Sequence, residues 1–536
     1  MGKGNSKKTN KRIKKVTITY ILAAVILLGL CIFIHELGHL IGGRMVGIKA
    51  KTFSIGYGKG VLKKKVGDTT YQLTLIPFGG FCQFYGENPS DERKGESFEF
   101  LSAHPFRRII TVLMGPLFNL FFGIILFFTM NMIGYQTETN RINIPEFFKS
   151  GEYVSPAYSA GMRTGDKIVK INDKEIRSFG EIQSGTLFSD GLPLKIDIER
   201  DGSITNYTVT PKKYAAQGHY TIGVMPYGEK VLIVKTLEND VASMSGIDDM
   251  DEVISADGKI FKEPKEFTDY IRERPGKTIK LSVIRAGNEM EVPVIPRLRE
   301  IIHIAKFEDS RFKNEQFDIE TEKLDLIKKA IENKTLKING RAVSSFDVLK
   351  NTLAGLKNQK ITLQSEGGTY YGNIEYEAYG FIGVETAIAP EMIDLKYGII
   401  DGFARSFTEP YEFVAMNLKG MGMLFSGELN VRENLSGPIK IAKIAGDVAY
   451  HRGIAAFIIL MAKISIILMV MNLLPIPVVD GSFILFFLLE AVRGKPISEK
   501  IMEKIQTVGM TLLILLGIFV IFNDLSFFPF FQKFFN

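Results

Sequence analysis

Cysteine is scarce in this chain: 536 residues contain two, Cys31 and Cys82. Two thiols cannot make a disulfide framework or a cysteine-based zinc site. Histidine is scarce as well, with six. Lys and Arg number 66 against 59 Asp and Glu, yet no compact basic patch with interleaved aromatics occurs, which argues against nucleic-acid binding. Charge is missing altogether from residues 16–34, 109–135 and 505–523. Nineteen helical residues rise about 29 Å, the thickness of one bilayer hydrocarbon core. These gaps exclude a purely soluble enzyme, and with it the disordered, collagen-like and disulfide-stapled secreted classes. The overall 46% hydrophobic and 23% charged content looks soluble only because the apolar residues are gathered at the two ends.

The length predicts three or four folding units. The first is a split membrane domain. Residues 1–15 form a basic tail with seven Lys or Arg and no acid, a run that attracts anionic lipid headgroups. Residues 16–135 hold a first span, a β segment over 53–86 with glycine punctuation, and a second span. Residues 392–536 hold an amphipathic helix over 395–425, suited to a membrane surface, and two more spans, 453–474 and 505–523. Lys463 interrupts the third span and is expected to face protein or water. Between these halves the chain is polar, β-rich and repetitive. Ile171-Asn172-Asp173-Lys174-Glu175-Ile176 aligns with Ala256-Asp257-Gly258-Lys259-Ile260-Phe261 and with Ile338-Asn339-Gly340-Arg341-Ala342-Val343, at separations of 85 and 82 residues. The turn Gly161 to Asp166 matches Gly246 to Asp251. Ile222-Gly223-Val224 recurs as Ile382-Gly383-Val384. Such a period suits small domains rather than a solenoid. The units resemble PDZ domains, which bind a peptide as an added strand. Their expected boundaries are 140–227, 228–298 and 299–388, the third degenerate. The fold class is therefore a multi-pass α-helical membrane protein of about four spans, with a membrane-associated β segment and an inserted region of tandem PDZ-like α+β domains.

The sharpest chemical signal is His35-Glu36-Leu37-Gly38-His39. Positions i and i+4 share a helix face, so both imidazoles can bind one zinc ion. Glu36 then stands beside the water that zinc would activate. The motif continues an uncharged apolar window, where ionisable groups are functional candidates. Zinc needs a third protein ligand and an open position. Of the other histidines, His104, His219, His303 and His451, none lies within an expected span. Asp480 is the best remaining ligand, with Glu490 and Asp524 as runners-up. It follows Asn472-Leu473-Leu474-Pro475-Ile476-Pro477-Val478-Val479. Prolines at membrane depth free backbone groups that only protein or water can satisfy, so Pro475 and Pro477 should border a cavity.

With both motifs in view, the chain resembles the site-2 protease family of intramembrane zinc proteases, in its PDZ-containing bacterial branch typified by the regulator of sigma-E protease. The resemblance runs over nearly the whole chain. It includes Ile76-Pro77-Phe78-Gly79-Gly80-Phe81, Gly115-Pro116-Leu117-Phe118-Asn119 and Leu435-Ser436-Gly437-Pro438-Ile439. It implies zinc as cofactor on His35, His39 and Asp480, Glu36 as general base, and Asn472 holding the substrate or polarising its carbonyl. It also implies that segment 71–81, with Leu73, Leu75, Gly79 and Gly80, pairs with an unwound substrate strand. The chain departs from the family at Ser482, where a second glycine is usual, and in carrying a third PDZ-like unit where two are usual.

The expected activity is endoproteolysis within the transmembrane segments of single-pass proteins, such as a pre-trimmed anti-sigma factor or a remnant signal peptide. The PDZ-like units would filter substrates or bind peptide segments, and the other partner is membrane lipid. The alternative is a non-catalytic PDZ scaffold with a structural zinc; a closed structural site needs four protein ligands, and three credible ones are present. A membrane zinc peptidase acting on lipidated C-termini fits the β-rich repeats less well. Charge arguments for topology conflict, since the tail and the loop 42–108, with eleven Lys or Arg, lie on opposite sides and compete for the cytoplasm. The resemblance implies a bacterial cytoplasmic (inner) membrane location, the active-site mouth toward the cytoplasm and the PDZ-like region outside.

Overall fold

A computed structural model describes residues 2–88, 93–145, 148–149, 153–214, 219–237, 239–285, 287–305, 316–318, 331–356, 360–365, 368–427 and 437–526. The Phe-rich tail beyond 526 and Leu435-Ser436 of the third family-like motif lie outside the described residues. The chain divides into two units, one of residues 1–227 with 390–536 and one of residues 228–389.

In the first unit, the helices Gly2–Met45, Pro105–Ile133, Pro438–Asp447 leading through a π turn into Gly453–Leu473, and Glu499–Ser526 carry the apolar stretches. Among the described residues, four helical segments are long and apolar enough to cross a membrane: Ile18–Met45, Pro105–Ile133, Pro438–Leu473 and Lys500–Asp524. The first two pack closely because small residues meet there. A Cβ on Gly38 would lie 2.3 Å from the Met114 carbonyl oxygen, so the backbones touch as small-residue helix pairs do in membranes.

The expected β segment is a pair of long, bent strands, Ala50–Val66 and Thr69–Phe84. Their register makes four rows. Residues 60–66 partner 69–74, residues 70–73 also partner 52–55 through Leu73↔Ile55, and 50–55 partner 80–84 through Ile55↔Gly80 and Ala50↔Phe84. Leu73 thus sits in an inner row, paired with both Ile55 and Leu62. Among the described residues, the row beside the first helix whose outer edge pairs with no strand is 80–84.

The rest of the first unit is a β domain. Strands Lys174–Glu175, Lys167–Ile171, Leu194–Arg200 and Ser203–Val209 form one sheet in that order, with helix Phe179–Leu187 over a core that includes Ile168, Ile196 and Ile198. Strand Tyr135–Glu138, following the second span, pairs with Met392–Leu395, preceding the amphipathic helix Ile399–Phe425. That helix is fastened to the β domain by Arg405 with Glu181, Lys174 with Glu412 and Lys419 with Asp190.

The second unit repeats the same architecture. Its five-stranded sheet runs Asn288–Val294, Ile279–Arg285, Asp251–Ala256, Lys230–Thr236, Val384–Ala389. In the first β domain Arg200 binds both Asp166 and the Gly161 carbonyl, at separations of 34 and 39 residues. In the second, Arg285 binds Asp251 and the Gly246 carbonyl at the same separations. A side chain in a left-handed turn accepts a backbone N–H 23 residues on in all three repeats: Asn172 from Lys195, Asp257 from Lys280 and Asn339 from Thr362.

One boundary differs from the expectation of consecutive units ending at 298 and 388. Val384–Ala389, expected in the third unit, pairs with Lys230–Thr236 of the second. The Ile382 carbonyl accepts from Ala242 N, as the Ile222 carbonyl does from Ala157 N. The third unit is therefore inserted into the second. The chain leaves by Arg297–Ala305 and returns by Gly368–Phe381, which pair along their length from Arg297↔Phe381. A reading by sequence continuity assigned the recurring Ile-Gly-Val to the segment just before it, whereas its hydrogen bonds belong to the segment interrupted earlier.

Candidate metal centre

The first helix sets His35 and His39 one turn apart, rings edge to face with centroids 4.7 Å apart. Their Nε2 atoms are 3.1 Å from each other. The third span ends at Leu473, and the prolines open the chain into a turn in which Val478 takes φ +83°. A β-branched residue in that region is strained. The turn delivers Asp480 to the start of helix Asp480–Arg493. Asp480 Oδ2 lies 3.0 Å from His35 Nε2 and 3.5 Å from His39 Nε2. His35, His39 and Asp480 form a three-ligand cluster whose donor atoms all lie within 4.8 Å of one another.

The donor set fits zinc. Among the described residues, Asp480 Oδ2 is buried without a hydrogen-bond partner, an arrangement that costs free energy unless a cation faces the oxygen. Two imidazoles and one carboxylate are a catalytic zinc donor set, leaving a position open. The second helix supports both rings. His39 Nδ1 lies 3.1 Å from the Thr111 carbonyl oxygen, which only accepts; Nδ1 therefore carries the proton and Nε2 offers its lone pair. Asn119 lies 3.4 Å from His35 Nδ1. Gly115 is required by contact, since a Cβ there would lie 2.3 Å from His39 Cε1.

The cluster borders a cavity of about 960 Å³ lined by Glu36, Tyr57, Phe81, Cys82, Asn472 and Gln506, among others. Membrane helices and the β segment thus share one wall. Gly80 brings the sheet edge against Glu36: a Cβ there would lie 2.7 Å from the Ser54 carbonyl oxygen and 3.5 Å from Glu36 Cγ. Gly79 adopts φ +95° beneath the Tyr57 ring.

Other expected residues fall elsewhere. Leu73 and Leu75 are exposed, and Leu73 is held in the inner sheet row. Pro477 stands against Gly509 of the fourth span and Pro475 is exposed, so the prolines shape the turn while Asn472, Val478 and Val479 face the cavity. Neither runner-up ligand reaches the cluster. Glu490 pairs with buried Arg108, whose guanidinium also lies over the Phe487 ring at 4.6 Å. Asp524 accepts from Gly437 N and Lys440 N, capping helix Pro438–Asp447. Ser482 donates to the Val479 carbonyl and accepts from Gln506 Nε2, tying the Asp480 turn to the fourth span. Arg108 and Gln506 carry no motif of their own; an arginine near the start of an apolar helix was the only sequence signal for the first.

Comparison with known proteins gives the family of the chain. The model of peptidase family M50 matches residues 23–516. The regulator of sigma E protease of Haemophilus influenzae is 28% identical over 520 residues, covering 93% of this chain and 97% of that protein. The regulator of sigma-E protease RseP of Escherichia coli is 24% identical over 526 residues, covering 94% and 97%. A Treponema pallidum protein whose name carries the words zinc metalloprotease is 25% identical over 525 residues, covering 95% and 99%. The chain belongs to peptidase family M50, the site-2 protease family, and is a multi-pass membrane zinc metalloprotease.

Proposed function

We propose that this protease cleaves peptide bonds within the transmembrane segments of single-pass proteins of a bacterial inner membrane. The observation that carries the reading is the convergence of His35, His39 and Asp480, beside Glu36, on a cavity walled by candidate membrane helices and a sheet edge. His35, His39 and Asp480 hold the zinc. When bound, zinc supplies Lewis-acid polarisation. Glu36 takes a proton from the attacking water and returns it to the departing amide nitrogen. Asn472 orients the scissile carbonyl.

A helical amide is already hydrogen-bonded and sterically closed, so the substrate must unwind at the cleavage point. Gly80–Phe84 is the row best placed to receive it, because among the described residues no strand pairs with its outer edge and Phe81, Cys82 and Phe84 line the cavity. Strand addition of this kind supplies main-chain hydrogen bonds to an extended peptide. This reading moves the pairing surface from Leu73 and Leu75 to the C-terminal end of the same segment and retains Gly79 and Gly80. The β units filter substrates outside the cytoplasm, with the active-site mouth toward the cytoplasm. Pre-trimmed anti-sigma factors fit this class, in line with the names of the two regulator proteases.

Glu36→Gln tests the reading. The variant should fold, bind zinc and accumulate clipped, membrane-bound stubs in a comparison of membrane-peptide profiles with wild type. Undiminished cleavage would remove Glu36 from its role. Retained zinc with no proteolysis of any membrane protein by the wild type would favour a scaffold. A periplasm-dependent reporter fused near residue 200 should be active; activity only from a cytoplasmic reporter would reverse the orientation.

A further inference from the structure

Asn119 is fully buried in the second span, at 0% exposure. A primary amide there is costly unless it is satisfied. Its backbone carbonyl accepts from Ser465 Oγ of the third span at 2.8 Å, which fixes the residue between two helices. Its side chain stands with one terminal atom, Nδ2, 3.4 Å from His35 Nδ1, and the other, Oδ1, buried with no hydrogen-bond partner among the described residues.

That orientation conflicts with the metal site. If Nδ2–H donates to His35 Nδ1, then Nδ1 is the lone pair and Nε2 carries the ring proton. Nε2 would then point a hydrogen toward His39 Nε2 and Asp480 Oδ2, at 3.1 and 3.0 Å, and could not bind a cation. Turning the amide by 180° exchanges two atoms of nearly equal size. The carbonyl oxygen then accepts from Nδ1–H and the Nε2 lone pair is released into the cluster, while Nδ2 takes the place in which Oδ1 has no partner among the described residues. His39 already has this arrangement through the Thr111 carbonyl.

We infer that Asn119 is a positioning residue: its side-chain oxygen accepts the Nδ1 proton of His35 and so sets the tautomer and ring angle with which that imidazole meets zinc. The second span thereby orients both histidines, one through main chain and one through Asn119. The inference rests on the proposal that His35 is a zinc ligand. Outer partners of ligating histidines typically contribute 10- to 100-fold to metal affinity.

The test measures zinc affinity by chelator competition on the full-length protein purified in detergent, with folding followed by thermal unfolding. Asn119→Leu keeps the approximate size and removes the acceptor; it should weaken zinc binding about 10- to 100-fold. Asn119→Asp keeps an acceptor oxygen and should weaken binding by less than about 10-fold. Asn119→Ala replaces the leucine variant if that does not yield folded protein. Cobalt substituted for zinc should show an altered absorption spectrum in the leucine or alanine variant and a wild-type spectrum in the aspartate variant. Wild-type zinc affinity in a folded Asn119→Leu or Asn119→Ala protein would overturn the inference, as would equal weakening by aspartate and leucine. His35→Leu separates the two readings. If it loses zinc while Asn119→Leu does not, only the role of Asn119 fails. If it binds zinc as wild type does, the assignment of His35 as a ligand fails.

Discussion

Replacing Gly115 by alanine should disable the metal centre by a displacement that the structure specifies. In an ordinary helix interior the change would stabilise by up to about 1 kcal/mol, because alanine is the better helix former. Here the added methyl would lie 2.3 Å from His39 Cε1 and 2.4 Å from His39 Nε2, where ordinary contact begins at 3.4 Å. One partner must move by about 1 Å, five times the roughly 0.2 Å tolerance of a ligand distance. The main chain on either side is packed, since Gly38 is in contact with Met114 and Gly115, so the imidazole is the part that yields. It then breaks its bond to the Thr111 carbonyl and leaves that arrangement at a cost of about 1–3 kcal/mol. Misplacement by about 1 Å in an active site can cost on the order of 100-fold in rate.

The assay pairs zinc stoichiometry and chelator competition with cleavage of a single-pass model substrate in detergent. Gly517→Ala in the fourth span, where a Cβ meets nothing within 4 Å among the described residues, serves as the matched control and should behave as wild type. A Gly115→Ala protein with wild-type zinc affinity and cleavage would refute the reasoning, because it would mean that His39 does not occupy the position described.

Removing one member of the buried Arg108–Glu490 pair, by Arg108→Met or Glu490→Leu, should destabilise by about 3–5 kcal/mol, with the double variant recovering most of the loss; thermal unfolding of the three variants checks this. The Glu409 carboxyl, on the amphipathic helix, is raised by burial to about 7 against its ordinary 4.5, although Arg405 and a bond from Asn131 oppose the shift. The folded state then binds more protons than the unfolded state between those values, so stability should fall as pH rises from about 4.5 to about 7, by up to about 3 kcal/mol. Glu409→Gln should flatten that slope in unfolding curves taken across the range; an unchanged slope would show that other groups carry it.

Much of this protein was legible because the signals are local. Uncharged stretches of bilayer length mark spans wherever they occur, and His35 and His39 share a face by helix geometry alone. The repeats at 171, 256 and 338 were readable because each turn needs a residue tolerant of a left-handed conformation, and Asn172, Asp257 and Asn339 all use it to bind a strand 23 residues on. The nesting of the third unit was not readable, since strand pairing between 230–236 and 384–389 leaves no periodic trace between them. The inner position of Leu73 was hidden for the same reason: a strand's own pattern does not say how many neighbours it has.

The sequence by itself marked which residues could bind zinc and placed them in or at the end of an expected span. Only the tertiary structure decided among them. Asp480, Glu490 and Asp524 are all acids near the third and fourth spans, and packing sends them to different partners: Asp480 to the two histidines, Glu490 to Arg108 and Asp524 to the cap of Pro438–Asp447. The physical reason is that a carboxylate in such surroundings must find a cation or donors, and which one it finds depends on which helices meet. Gly38 and Gly115 let the first two helices touch, and the turn through Val478 brings Asp480 to them from the far end of the chain.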